Sequence, residues 1–115
     1  MTVTIRLEAD WGLLPYFVDE GGEAGGDRFE ACTDAGFARR FALPDHVMSA
    51  LEEWNQLYQR ILDWDDPRSS TFAGPEEEQH FYEQGRVVSR LLRKHVPADV
   101  RIMFVGDGNI PAEYY

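Results

Sequence analysis

Polar and apolar residues alternate along Thr2 to Glu8, with Val3, Ile5 and Leu7 on one side and Thr2, Thr4, Arg6 and Glu8 on the other. That period of two predicts a half-buried strand. From Leu43 to Pro67 the period changes. Val47, Leu51, Trp54, Tyr58 and Ile61 recur at steps of four and three, and Ala50, Leu57 and Leu62 widen the same stripe. This is the spacing of a helix that buries one broad face. Trp64-Asp65-Asp66-Pro67 closes it, since proline disfavours a helical conformation in the residue before it.

The rest of the pattern fits around these two segments. Leu13 to Val18 predicts a second short extended segment, and Pro15 confines it to a sheet edge or a strand start. Asp19 to Asp27 holds four glycines and four acids in nine residues and predicts an acidic hairpin loop. Phe29 to Cys32 and Phe37 to Leu43 read as extended or irregular, with Thr33 to Gly36 as a turn between them. The first long helix is expected to begin with Asp45 as its N-cap. Arg68 to Gly74 follows as a connection whose Phe72 plugs the core.

Gly74-Pro75-Glu76-Glu77-Glu78 opens a second helix, with proline at the first helical position and carboxylates at the positive end of the dipole. Its inner stripe is Phe81, Gly85, Val88, Leu92 and His95, with Leu91 alongside. A mid-helix glycine costs about 1 kcal/mol relative to alanine, so Gly85 predicts close approach to the first helix. Arg86, Arg90, Arg93 and Lys94 crowd the other side, and Pro97 terminates the helix. Val100 to Val105 is a final strand, stopped by Gly106 to Asn109, and Tyr114 and Tyr115 would dock the tail. The predicted fold is α+β: a single domain over residues 1–115, with a small mixed or antiparallel sheet carrying two antiparallel helices on one face. The other sheet face, with Thr2, Thr4, Arg6, Glu8, Arg101 and Met103, is left for solvent or an interface.

Charge changes this picture from fold to partner. The 115 residues carry a formal charge of −10 and a sequence pI near 4.6. Such a field disfavours nucleic acid and anionic membrane as partners and favours a basic protein surface. Its distribution is uneven: acids dominate residues 1–35 and 63–78, and bases dominate residues 79–101. Cys32 is the only cysteine, which excludes an internal disulfide and points to a reducing compartment. The opening MTVTIRLEAD lacks a signal-peptide pattern, and no apolar run reaches the roughly 20 residues of a membrane span. The expected location is cytoplasmic. Nothing here chooses between monomer and homodimer.

Catalytic motifs are thin. His46, His80 and His95 have no second histidine or cysteine at metal-ligand spacing, and the glycines of Asp19 to Asp27 lack the lysine of a phosphate loop. No metal or cofactor is therefore implied. One enzymatic or ligand-binding alternative uses Asp10, Asp63, Asp65 and Asp66 as convergent carboxylates. The stronger pattern is acid interleaved with aromatics, in which rings anchor and carboxylates steer a basic protein. Its candidate contact residues are Trp11, Asp19, Glu20, Glu23, Asp27, Trp64, Asp65 and Asp66.

The chain also resembles a family of small uncharacterised acidic bacterial proteins. The resemblance rests on ADWGLLPYFVDEGG, the LPxxVxxxLxxW helix, LDWDDP with a following phenylalanine, and a glycine-bearing helix before a last strand. It implies no activity. Size, charge and architecture are in addition similar to those of bacterial immunity proteins that neutralise a toxin, which implies a non-enzymatic inhibitor with a basic toxin as partner.

Overall fold

The computed structural model describes residues 3–9, 14–19, 30–31, 34–61, 72 and 74–115, giving only the backbone of residues 30, 31, 34 and 35. Strand β1 (Thr4–Glu8) follows the predicted alternation, with Ile5 and Leu7 fully buried and Thr4, Arg6 and Glu8 half-buried. Strand β2 (Tyr16–Asp19) pairs antiparallel with it and turns Tyr16 and Val18 to the same side. Strand β3 (Glu30–Ala31) extends that edge. Strand β4 (Arg101–Gly106) returns parallel to β1, aligning Ile5 with Ile102 and Leu7 with Phe104. Strand β5 (Glu113–Tyr114) closes the other edge against β4. The sheet is mixed, in the order β3-β2-β1-β4-β5. A parallel β1–β4 pair needs a long crossover, and the helices supply it.

Among the described residues three helices form that crossover, one more than the sequence suggested. Helix α1 (Asp34–Phe41) covers residues read as a turn and an extended or irregular segment. The correction has a simple origin. Phe37 and Phe41 stand four apart, so a helix turns both rings to the core, where Phe37 stacks on Tyr16 at 4.1 Å and meets Phe41 edge-on at 5.3 Å. The helix ends with Ala42 in the left-handed region at φ 51°. Leu43 N–H donates to the Ala38 carbonyl at 2.8 Å, and Ala42 N–H to that of Arg39 at 3.3 Å. These are the two bonds of a Schellman stop, with alanine where glycine is usual.

Helix α2 (Asp45–Gln59) buries Val47, Leu51 and Trp54, as the stripe requires. Its N-cap is Pro44 rather than Asp45, so Asp45 sits in the first turn and serves through its charge alone. The α-helix stops at Gln59, short of the expected stop at Pro67. Ile61 N–H donates to the Tyr58 carbonyl at 3.2 Å, a tightened last turn. Residues 62–71, with the Trp64-Asp65-Asp66 turn, lie outside the described residues. Helix α3 (Pro75–His95) buries Phe81, Tyr82, Val88, Ser89 and Leu92. The start of α2 meets the end of α3 through His46 and His95, and Tyr58 near its end meets Phe81 near the α3 start. The two long helices are therefore antiparallel, as predicted.

The layers lock at Gly85. A Cβ there would collide with the Phe104 ring of β4 and lie 2.9 Å from Trp54 Nε1. The bare backbone lets the ring in and lets the indole N–H donate to the Phe81 carbonyl at 3.1 Å. The expected close approach is thus to the sheet as well as to α2. Phe72 packs beside Phe81 at 5.3 Å, the plug the sequence suggested. On the open sheet face, the Arg6 guanidinium lies 4.9 Å from the centre of the Phe17 ring and pairs with Glu8 at 3.2 Å.

Candidate functional site

The inner stripe of α2 fixes what its outer side presents. With Val47, Leu51 and Trp54 turned inward, Asp45, Ser49, Glu52, Glu53 and Gln56 point to solvent. None of Asp45, Glu52 and Glu53 has an ion-pair partner among the described residues. Beside this face a cleft of about 580 Å³ opens between α2, the start of β2 and Ala38 of α1. Leu14, Tyr16, Met48 and Leu51 supply its apolar wall, and Asp45 and Glu52 are the charged residues among its described lining. Asn55, buried in the wall, accepts a hydrogen bond from Gln59 Nε2 at 3.2 Å.

Of the contact residues proposed from sequence, Asp19 alone falls within the described residues. It ends β2, half-buried, opposite Thr4, which in turn aligns with Arg101. Trp11, Glu20, Glu23, Asp27, Trp64, Asp65 and Asp66 lie outside them, as do Asp10 and Asp63 of the enzymatic alternative.

The basic side of α3 is less free than its sequence suggests. Arg86 donates through Nε and Nη2 to the Glu113 carboxylate at 2.9–3.1 Å. Tyr115 Oη donates to the same carboxylate at 2.9 Å. The Arg86 guanidinium holds the Glu113 carboxyl below the usual carboxylate range, and Glu113 in turn raises the Arg86 pKa. Burial, followed by the Glu113 contact, pushes the Tyr115 phenol up. Arg93 donates to the carbonyls of Val100 at 2.5 Å and Tyr115 at 3.1 Å, and also to that of Pro97. Two arginines of the basic side of α3 thus clamp the chain's own tail. Sequence reasoning missed this because Arg86 and Glu113 are 27 residues apart, and only the β4–β5 pairing brings them together.

Two further contacts were hidden for the same reason. Gly106, at φ +62°, has no side chain to block the Tyr82 ring, and Tyr82 Oη donates to Asp107. Burial, reinforced by the Asp107 bond, raises the Tyr82 pKa well above the ordinary tyrosine value. His46 and His95 meet edge to face at 5.3 Å. No group of three or more His, Cys, Asp or Glu is placed to hold a metal ion among the described residues. No helix among them is long and apolar enough to cross a membrane.

The described residues present an acidic helix face and an apolar cleft with a carboxylate rim, with no cluster placed to hold a metal among them. The sequence pattern of one protein family, described as Serratia CdiI immunity protein-like, matches residues 3–107. The chain belongs to that family. The match runs from the residue before β1 to Asp107, so it takes in the three helices, the β1–β4 pair and the cleft. The Glu113 and Tyr115 contacts of the tail lie beyond it. No protein of curated function matches the chain significantly.

Proposed function

We propose that this chain is a non-enzymatic immunity protein that binds a basic toxin and blocks its activity. The observation that carries the reading is the match to an immunity-protein family across the sheet and helices. The charge of −10 supports it, because a strongly acidic inhibitor steers itself onto a basic partner and occludes it without chemistry. The exposed carboxylates of α2 add support, since they have no ion-pair partner among the described residues. In this reading Asp19, Glu20, Glu23 and Asp27, with Trp11 and Trp64-Asp65-Asp66, contribute acidic and aromatic contacts, and the chain acts in the cytoplasm.

The test expresses the C-terminal domain of the protein encoded directly upstream of this chain's gene, with and without the chain. The expected result is growth arrest by the domain alone and restored growth on co-expression. A domain that is harmless, or one whose toxicity the chain leaves unchanged, would contradict the proposal.

A further inference from the structure

We infer that the cleft between α2 and the β2–α1 side is a docking groove for an arginine- or lysine-bearing segment of the toxin, an inference that rests on the immunity reading above. The groove has two chemically distinct parts. Leu14, Met48 and Leu51 offer an apolar wall that suits the methylene stem of a long basic side chain. Asp45 and Glu52 stand at the rim, seven residues apart on α2, which is two turns or about 10 Å along the axis. That spacing brackets the cationic head of a side chain lying across the wall.

Charge complementarity selects the occupant. Among the described residues every charged one lining the groove is a carboxylate, and neither Arg39 nor Arg40 of the neighbouring α1 lines it. An acidic segment would meet two carboxylates with no ion-pair partner among the described residues, a like-charge arrangement that opposes docking. Ser49 and Gln56 add neutral groups that can bond a guanidinium or the backbone carrying it. The whole-chain charge then steers the same sign of partner toward the site. By contrast, the smaller groove between α2 and α3 around Val87 has one carboxylate, Glu53, among its described lining residues, without the pair that flanks the larger groove.

The experiment measures Kd between the full chain and the same upstream-encoded toxin domain, for wild type and three variants. Ser49→Trp fills the groove from an exposed helix position. Glu52→Arg inverts one rim charge, and Glu83→Arg makes the same charge change on the exposed side of α3, outside the groove. Thermal melting of each variant confirms folding, and either groove variant suffices if the other fails to fold. The expected outcome is a Kd raised about 30-fold or more by each groove variant and less than about threefold by Glu83→Arg. Groove variants that bind as tightly as wild type would overturn the inference and leave the immunity reading intact. Equal weakening by Glu52→Arg and Glu83→Arg would reduce the effect to overall charge and overturn it too. A wild-type chain that fails to bind the domain would overturn the immunity reading and this inference with it.

Discussion

On the outer side of α3, Arg86 closes on Glu113 and Arg93 on the carbonyls of Val100 and Tyr115. On the outer side of α2, Asp45, Glu52 and Glu53 face solvent with no ion-pair partner among the described residues. The two helices share one interior, built around Trp54, Phe81 and Gly85, yet their surface charges have different fates. Two of the α3 bases, Arg86 and Arg93, are held within the chain by a tail that completes the sheet edge, while Arg90 and Lys94 stay exposed. Acidic charge on α2 is left available, beside a cleft with an apolar wall. A sequence-level count of charges treats both helices as open surface, whereas the structure separates a charge that holds the fold from one that can meet a partner.

The comparison can be broken first at the shared interior. Trp54→Ala removes a fully buried ring that stacks on Phe81 and donates to its carbonyl. The expected loss is about 4 kcal/mol in urea unfolding. A loss below about 1 kcal/mol would mean that the indole does not join α2 to α3. Gly85→Ala places a methyl against the Phe104 ring and Trp54 Nε1. In an open helix alanine would stabilise, so here the sign is diagnostic: we expect destabilisation of about 2 kcal/mol from overpacking. Stabilisation would show that the two rings yield freely.

Those interior predictions rest on signals readable in the chain. The periods of two and of three to four residues locate β1, α2 and α3, and the lone glycine within a helical stripe marks the close approach. The α1 helix was hidden because Phe37 and Phe41 suit a strand as well as a helix until Tyr16 supplies the ring that Phe37 stacks on. The end of α2 at Gln59 was hidden because the stripe continues to Ile61 beyond the last regular turn. Of the candidate contact set, sequence supplied the acidic character, and Asp19 is the one member the described residues include. The α2 cleft was not legible, because its wall combines Leu14 and Tyr16 near the N-terminus with Ala38 and Met48. Only the docking of α1 and α2 on one sheet face brings these together.

The surface predictions are smaller. Arg86→Ala removes the bidentate pair with Glu113, whose side chains are each about one-third exposed. After allowing for solvent screening, the expected cost is about 1 kcal/mol, with faster amide exchange at Glu113–Tyr115. The pair also sets a pH dependence. Glu113 has a folded pKa below its unfolded value of about 4.3, so its contribution is complete above that value and lost as pH falls through the folded one. Wild type should therefore exceed Glu113→Gln in stability at pH 7, and the difference should vanish in strong acid. A constant difference across that range would sink the ion-pair account. On α2, Glu53→Gln should change stability by no more than about 0.5 kcal/mol. A larger loss would show that this carboxylate helps hold the fold, erasing the contrast with α3.

If the acidity of this immunity-family chain serves association with a basic toxin, their encounter is steered by charge. Stopped-flow association of the full chain with the upstream-encoded toxin domain, repeated from low to high salt, tests it most directly. The account predicts an association rate that falls roughly tenfold or more between about 20 and 500 mM salt, while dissociation changes little. An association rate independent of salt, or no complex at any salt, would contradict it.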